Sequence, residues 1–465
     1  MSASRERVVV IGAGIGGAGC AALLARRGFD VTLLERNDFS GGKGASFERE
    51  GFVYDTGVHA IGSGEKGPLG RINSLVGGDL AFNHITGGNR IAIGDNVAHY
   101  PLEYASADSV AAIIEGVGVR PENFDDCFTC FMDLCTMRPS SELEKLDEVP
   151  LKEYVDRFTD DPNFHQMLNS TCGMLIVVTY FTGSTGEFIR CFAEMAANAS
   201  LSYPVGGVGA VAESYVAALL RMGGRVEYGR RVEAVIVEDG RVAGGEAGER
   251  IPADIVVSNA GLQPTVKMLS DHLPADYVDR AMSYRSSYGA VSVKYALDEP
   301  VVEHPLTLWI PEADDAEAAE KYVGVFYPVP SIPDPGLVPE GCQLVLAGAI
   351  VSPHPKHHDF NEMVLDRIEA TMNMLHPGID DHVVWKLRAG TDYIAGISGR
   401  ELGEVIGLSQ DYRQVGKNRP DPRMPVGGLY IVGADAGGRG IGTEMAGDSA
   451  LNVSRMIEED ASSSS

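Results

Sequence analysis

The amino-terminal glycine cluster is the feature of this sequence that most constrains the fold. Residues 7–11 form an apolar, β-branched run, and the glycine-rich segment 12–17 follows it directly. Residues 18–27 predict a helix, and residues 31–34 predict a second buried strand that ends at Glu35. A strand, a glycine turn, a helix and a strand ending in an acid are together typical of a βαβ unit that binds a dinucleotide.

Each part of this unit has a physical task. Gly12 allows a tight turn, Gly14 lets the backbone approach a pyrophosphate, and Gly17 lets the helix pack closely on the strand. The helix N-terminus presents free N–H groups and a positive dipole end to the phosphates. Glu35 can accept hydrogen bonds from a ribose diol but would repel a 2′-phosphate, which favours FAD or NAD over NADP. The binding residues predicted here are Gly12, Ala13, Gly14, Gly16, Gly17 and Glu35.

The residues after Glu35 separate FAD from NAD. Glu35 is followed by the glycine doublet and lysine of residues 41–43 and by Tyr-Asp-Thr-Gly at residues 54–57. This pattern resembles the branch of the glutathione-reductase-like FAD superfamily that contains phytoene desaturases and monoamine oxidases. Lys43 stands where that branch usually has arginine, which keeps a cation but loses the bidentate fork. The resemblance implies cofactor contacts at Arg36, Gly42, Lys43, Gly57, Val58 and His59.

Later segments extend the resemblance over nearly the whole chain. Residues 203–209 are similar to the segment that re-enters the FAD domain in phytoene desaturases, and the strand after it implies an adenine contact by the backbone of Val232. Because no apolar strand precedes Gly206, we expect no separate NAD domain. Residues 429–443 resemble the last flavin motif of the family, with implied contacts at Gly433, Asp435, Gly442 and Thr443.

Two residues of that last motif carry specific expectations. Asp435, at the end of a predicted strand, can hold hydroxyl groups of the ribityl chain. The helix that begins near Thr443 can direct its N-terminus at the N1/C2 carbonyl edge of the flavin, which favours the negative charge of the reduced form.

The fold class expected is α/β, with a Rossmann-like FAD-binding domain of the glutathione-reductase type and a discontinuous, mixed-sheet, helix-capped substrate domain. Residues 1–75, 205–265 and 395–465 are predicted to form the FAD-binding domain, and residues 76–204 and 266–394 the substrate-binding domain. Four segments predict helices of the cap: Ala105–Glu115, Asp125–Met137, Leu151–Phe158 and Glu187–Ala199.

Charge and cysteine content limit the partners and the compartment. The chain has 38 basic and 65 acidic residues, for a formal charge of −27. Such a field repels nucleic acid and disfavours broad adhesion to anionic membranes, so we expect no nucleic-acid partner and at most peripheral membrane contact. The seven scattered cysteines do not form a disulfide framework, and the amino terminus does not read as a signal peptide. We therefore expect a cytoplasmic protein.

No metal site is predicted. The three cysteines between residues 127 and 135 lack a second ligand pair, and the three histidines between residues 354 and 358 lack acidic companions. Some members of the similar families attach the flavin through a cysteine near the C-terminus. This chain has no cysteine beyond Cys342, so the FAD is expected to be non-covalent.

The resemblance implies an FAD-dependent oxidoreductase that acts on CH–CH groups. The expected reaction desaturates, or in reverse saturates, a carbon–carbon bond of a hydrophobic, alicyclic or polyene substrate by hydride transfer to flavin N5. An external electron acceptor, such as oxygen or a quinone, must then reoxidise the cofactor. His59, two residues beyond Gly57, is the catalytic candidate, because it should lie near the flavin and could serve as a proton donor or hydrogen-bond the cofactor.

Three other functions stay open. An amine oxidase of this fold usually lines the flavin with an aromatic cage, for which a chain with two tryptophans gives little sign. A flavin-dependent double-bond isomerase would be redox-neutral overall. A non-enzymatic prenyl or lipid carrier, as in Rab GDP-dissociation inhibitors, would not need flavin, whereas Glu35, the Gly41-Gly42 doublet and Asp435 favour a cofactor.

Overall fold

A computed structural model describes residues 5–85, 87–100, 106–198, 201–311, 324–352 and 358–463. His354 and His357 lie outside these residues. The strands are β1 (Arg7–Ile11), β2 (Asp30–Leu34), β3 (Ser46–Arg49), β4 (Phe52–Asp55), β5 (Phe82–Ile85), β6 (Asn89–Ile93), β7 (Asn96–Tyr100), β8 (Leu201–Pro204), β9 (Arg225–Glu227), β10 (Ala234–Glu238), β11 (Arg241–Glu246), β12 (Arg250–Pro252), β13 (Ile255–Ser258), β14 (Gly289–Leu297), β15 (Leu306–Ile310), β16 (Val325–Pro328), β17 (Gln343–Val351), β18 (Val383–Ala389) and β19 (Leu429–Ile431). The α-helices are α1 (Ile15–Arg26), α2 (Pro68–Val76), α3 (Ala107–Gly116), α4 (Phe124–Thr136), α5 (Ser141–Lys145), α6 (Leu151–Val155), α7 (Pro162–Ile176), α8 (Thr185–Asn198), α9 (Gly209–Arg221), α10 (Leu262–Lys267), α11 (Ala275–Ser283), α12 (His358–Leu375), α13 (Thr391–Ser398) and α14 (Gly442–Ser463).

A five-stranded parallel sheet, which we call the nucleotide sheet, has the order β19-β13-β1-β2-β9. Strands β1, β2, β13 and β19 are largely buried, as expected of a parallel sheet covered by helices, whereas the edge strand β9 is more exposed. Helices α1, α9 and α14 pack together on one side of it. The five strands fall within the three stretches expected to form the FAD-binding domain, although the domain boundaries themselves stay a prediction.

A seven-stranded sheet, which we call the mixed sheet, has the order β18-β14-β17-β16-β15-β6-β7. Side chains alternate between its faces. On β14, Val291, Val293 and Tyr295 pack against helix α12, while Ala290 and Ser292 face the opposite side, where a cavity lies. The mixed sheet therefore offers one face to its own core and the other to a ligand.

Helices α3 to α8 form a cap with its own apolar core, in which Phe131, Phe164, Phe188 and Phe192 pack against one another. Five of the seven cysteines are buried in this core, and burial raises the pKa of each thiol. In the described part of the chain, no group of three or more metal-ligating side chains is placed to hold a metal ion. None of the described helices is long and apolar enough to cross a bilayer.

Candidate active site

A cavity of about 770 Å³ begins at the carboxyl ends of the nucleotide-sheet strands and continues to the mixed sheet and the cap. Segments that lie far apart in the sequence meet around it. The predicted site residues in its wall are Gly12, Gly14, Gly16, Glu35, Arg36, Gly42, Lys43, Gly57, Val58, His59, Val232, Gly433, Gly442 and Thr443. We call the wall formed by these segments the nucleotide half, and the wall formed by α7, α8 and the mixed sheet the cap half.

The carboxylate of Glu35 is held by two backbone N–H groups, one of them from the glycine turn. The Ala13 N–H donates to Glu35 Oε2 at 2.7 Å, and the Asn37 N–H donates to Oε1 at 2.9 Å. Each carboxylate oxygen keeps a lone pair for a further donor, because a carboxylate accepts about four hydrogen bonds. Glu35 is thus buried, fixed in orientation and able to accept from a ribose hydroxyl.

Ala13 and Gly17 lie behind the wall rather than in it. A Cβ placed on Gly17 would lie 2.0 Å from the Gly12 carbonyl oxygen, a distance that no side chain can occupy. Gly17 therefore serves the close packing of α1 against the turn. Ala13 acts through its N–H, which orients Glu35.

The nucleotide half has the features that a diphosphate requires. The backbone of Gly41 pairs with that of Gly14, and the Gly41 N–H donates to the Ala13 carbonyl oxygen at 2.8 Å, so this part of the wall is glycine backbone. Lys43 adds a cation, and its Nζ donates to the Glu404 carbonyl oxygen at 3.2 Å. Burial, reinforced by the charge of Arg400, lowers the pKa of Lys43 to about 8. A backbone cradle, a cation and the acceptor Glu35 together fit a dinucleotide such as FAD.

The carboxylate of Asp435 is held by groups of the protein, and its predicted contact with ribityl hydroxyls stays a prediction. Asp435 lies behind the cavity wall. Its Oδ2 accepts from the Leu262 N–H at 2.7 Å and from the Arg400 guanidinium at 2.9 Å, and its Oδ1 accepts from the Leu408 N–H at 3.0 Å. These donors lower the pKa of Asp435 against the opposing effect of burial, and they hold two loops to the end of β19.

His59 lies where the two halves of the wall meet. Its Nδ1 is 4.0 Å from Asp55 Oδ2, and it has no hydrogen-bond partner in the described residues. Asp55 accepts hydrogen bonds from the Tyr203 hydroxyl and the Val208 N–H. Burial lowers the pKa of His59, an effect that Asp55 opposes and Lys294 reinforces. The imidazole is therefore neutral near pH 7, with one nitrogen available to accept a proton.

Lys294 is fully buried on β14, behind the same junction. Its Nζ donates to Ser292 Oγ at 3.1 Å, and Ser292 lines the cavity. Burial lowers the pKa of Lys294 to about 8, against the charge of Asp55. The Lys294 ammonium group thus lies directly behind the Ser292 hydroxyl, which is part of the cavity wall.

Several residues of the site were missed by the sequence analysis. The Asn259 side chain, just after β13, fills the space beside the glycine turn, where a Cβ on Gly14 would lie 2.8 Å from its Nδ2. Glu444 accepts from the Gly62 and Ser63 N–H groups at 3.3 and 3.0 Å and so ties the loop after His59 to helix α14. Burial, with the charge of Glu194, raises the pKa of Glu444 to about 7. A polar residue directly after a predicted strand was the available signal for Asn259.

The cap half differs in composition from the nucleotide half. It is built largely of apolar side chains and contains no aspartate, glutamate, tyrosine or tryptophan among its described residues. Arg90 is the one cation among the residues described in this wall, and it donates to Thr307 Oγ1 at 3.0 Å and to the Tyr327 hydroxyl at 3.2 Å. Representative members of this wall are Met174, Phe192, Met195, Leu306, Leu308, Phe326 and Ile350.

The family follows from matches over most of the chain. Residues 10–72 match the family described as NAD(P)-binding Rossmann-like domain, and residues 127–457 match the flavin containing amine oxidoreductases. The chain belongs to the flavin-containing amine oxidoreductase family. It is an FAD-dependent oxidoreductase, which confirms the cofactor, the α/β fold class and the family branch that the sequence indicated.

Two curated relatives and one solved structure illustrate the similarity. Prolycopene isomerase 1 of an Oncidium hybrid cultivar is 24% identical, over 91% of this chain and 79% of its own length. Carotenoid 3,4-desaturase of Haloarcula japonica is 26% identical, over 93% of this chain and 94% of its own length. An oxidoreductase from Methanosarcina mazei has the same fold, with a TM-score of 0.77 at 20% identity, covering 97% of this chain and 100% of that one.

Proposed function

We propose that this enzyme desaturates, or in reverse saturates, a carbon–carbon bond of an apolar polyene or alicyclic substrate. The observation that carries the proposal is the apolar cap half, which has no described acidic residue and stands in front of the buried cation Lys294. Such a wall favours a neutral hydrocarbon chain and disfavours a substrate ammonium group, since a buried cation must be paired to be stable. Curated relatives that act on carotenoids support the same substrate class.

The chemistry divides between the cofactor and the chain. Bound FAD supplies a hydride acceptor at N5. The apolar side chains of the cap half hold the substrate against the junction of the two halves and exclude water from it. When a carbon–carbon single bond becomes a double bond, one carbon loses a hydride and its neighbour loses a proton. His59 accepts that proton through its other ring nitrogen, Nε2, because Nδ1 is buried on the side of Asp55, and the Asp55 carboxylate 4.0 Å from Nδ1 stabilises the resulting imidazolium. An external electron acceptor removes the hydride equivalent afterwards.

Anaerobic flavin reduction tests the proposal. The holoenzyme is mixed with polyenes and their more saturated precursors on one side and with primary amines on the other, and loss of the flavin absorbance is followed. We expect reduction by a polyene precursor, with a product two hydrogens lighter than the substrate, and no reduction by amines. Reduction by amines alone would exclude the proposal.

The mass of the product separates desaturation from isomerisation. Several of the curated relatives are named prolycopene isomerases. An isomerase would return a product of unchanged mass, with the flavin oxidised at the end of the reaction. If every polyene gave a product of unchanged mass, the enzyme would be an isomerase and not a desaturase. Oxygen and quinones can then be tested as acceptors by their ability to restore the yellow colour.

A further inference from the structure

Val177 has a backbone conformation that side chains rarely adopt. It follows helix α7, with a φ of +53° and a ψ of +43°, in the left-handed region. This region brings the Cβ close to a backbone carbonyl oxygen and is least favourable for β-branched side chains such as valine. After helices α2 and α13 the same conformation is adopted by glycine, at Gly77 and Gly399. The end of α7 thus keeps a side chain where the backbone favours glycine.

The surroundings of Val177 distinguish it from the other left-handed residues. Among the described residues, Glu50 and Asp239 are the two further non-glycine residues with a positive φ. Both are exposed, and each precedes a glycine in a two-residue hairpin turn, a place where a positive φ is required. Val177 is 7% exposed and lines the cavity. An unfavourable conformation kept inside a ligand cavity indicates a function for the side chain.

Two hydrogen bonds from outside α7 hold the backbone of Val177. The Tyr288 N–H donates to the Val177 carbonyl oxygen at 3.1 Å, and the Val405 N–H donates to the Tyr288 carbonyl oxygen at 3.1 Å. The end of α7 is therefore connected, through the residue before β14, to the loop that carries Val405. A conformation of this kind persists only where the surrounding structure fixes it. The side chain of Val177 consequently has a fixed place in the wall.

That place is where the cap half meets the flavin end of the nucleotide half. Val177 belongs to a small apolar cluster with Ile406 and Met445. Met445 lies in the first turn of α14, and a Cβ on Gly442, at the start of that helix, would lie 3.4 Å from Ile406 Cγ2. The N-terminus of α14 is the helix end expected beside the flavin ring. Met174, one turn before Val177, lines the apolar part of the cavity.

We propose that Val177 is a specificity-determining residue, whose isopropyl group is a fixed apolar contact that sets which carbon–carbon bond of the substrate lies against the flavin. A polyene has similar bonds along its whole length, and an apolar wall alone does not distinguish one bond from the next. A rigid contact near the flavin does, because it limits how far the chain can slide. This inference rests on the proposed function, since it names the residue that selects the reacting bond.

The position of the reacted bond tests the proposal. Native and Val177→Gly holoenzymes are each given one polyene precursor in a single turnover, with their own FAD as the oxidant, and the products are located by mass and proton NMR. Glycine suits the left-handed backbone, so this variant should fold and keep its flavin. We expect the ratio of the main native product to products altered at neighbouring bonds to decrease about tenfold or more, as loss of an apolar contact predicts. An unchanged ratio would overturn the proposal.

Two further variants separate the side chain from the backbone. Val177→Ala keeps a Cβ on the left-handed backbone but loses both methyl groups, so its product ratio should change as in Val177→Gly. Val177→Thr keeps the branched shape and should keep the native ratio. Asp239→Gly is the matched control, because it removes a left-handed side chain from an exposed turn and should change nothing. A native ratio in Val177→Ala would mean that the methyl groups do not select the bond, and it would overturn the proposal.

Failure of the proposed function would look different. If amines alone reduced the native flavin, the proposed function would be excluded, and the role of Val177 with it, before any variant was compared. If the native enzyme desaturated the polyene and the Val177→Gly and Val177→Ala proteins gave the native product ratio, only the role of Val177 would be excluded.

Discussion

The nucleotide half of the cavity wall differs from the cap half in what builds it. The nucleotide half is made of glycine backbone, helix N-termini and fixed charges such as Glu35 and Lys43. The cap half is made of apolar side chains contributed by α7, α8 and the mixed sheet. Backbone geometry requires particular residues at particular spacings, whereas an apolar wall can be built from many side chains. One half is therefore specified by sequence motifs and the other only by the fold.

The largest expected effect comes from a side chain at Gly17. A valine there would collide with the Gly12 carbonyl oxygen, which lies 2.0 Å from the Cβ position. Because neither α1 nor the turn can move without disturbing Glu35, Gly17→Val should abolish flavin binding and lower the free energy of unfolding by about 3 kcal/mol or more. The flavin content after purification and a urea unfolding curve measure these two effects.

Gly396→Ala is the matched control for that substitution. Gly396 lies inside helix α13, and a Cβ there meets no heavy atom within 4 Å. We expect the protein to keep its flavin and to gain about 0.5–1 kcal/mol of stability, since alanine is the better helix former. A flavin loss equal to that of Gly17→Val would show that the packing of the turn is not the cause.

The second prediction concerns the junction of the two halves. His59→Gln removes the proposed proton acceptor and should slow flavin reduction by substrate about a hundredfold, while the flavin stays bound. Burial lowers the pKa of His59, so in the native enzyme the rate should be constant above pH 6.5. The rate should decrease only when acid protonates the imidazole, and the variant should lack that acid limb. Stopped-flow absorbance measures both.

His84→Gln provides the comparison for His59, because His84 is exposed and lies 3.4 Å from the exposed Glu65. It should reduce its flavin at the native rate. If His59→Gln slowed reduction less than about fivefold, His59 would hold the cofactor rather than move a proton.

Some residues of the site could be predicted from the sequence and others could not. The glycine turn, Glu35 and the final flavin motif were predictable, because backbone contact with a dinucleotide imposes a fixed spacing on them. The place of Asp435 after a strand reveals the strand end, but it does not reveal the bonds of its carboxylate to Leu262, Arg400 and Leu408. Arg400 and Glu404 belong to no pattern, and only the folded loops bring them beside Lys43.

The helices of the cap were also only partly predictable from the sequence. Four of its helices were predicted from their apolar periodicity, with boundaries within a few residues of those observed. Helix α7 was missed, because Asn169, Ser170, Thr171 and Gly173 interrupt its apolar pattern. Ser170, Thr171 and Gly173 face the cavity, which explains why the helix departs from a simple buried stripe. The elements that meet the substrate are those that local patterns describe least well.

The third prediction tests the cap half directly. Met174 lines the cavity from α7 and is partly buried, so Met174→Trp should narrow the apolar space without touching the nucleotide half. We expect kcat/KM for the longest polyene to decrease about tenfold or more, with unchanged flavin content and FAD affinity. Met374→Trp, at a 58% exposed position on α12, should leave both quantities unchanged. A loss of flavin from Met174→Trp would mean that the two halves are not independent.

The smallest expected effect is a dependence of FAD affinity on pH, which comes from Lys43 in the nucleotide half. Lys43 has a pKa of about 8 in the folded protein, and a bound diphosphate would raise it because the dianion favours the ammonium. Above pH 8, FAD binding therefore includes the uptake of a proton by Lys43. FAD affinity should be nearly constant below pH 7.5 and should decrease about tenfold between pH 7.5 and 9.5. Lys43→Arg should bind FAD equally at both values, because a guanidinium does not titrate in this range. Fluorescence titrations at the two pH values measure the ratio, and a native affinity that does not change with pH would place Lys43 away from the diphosphate.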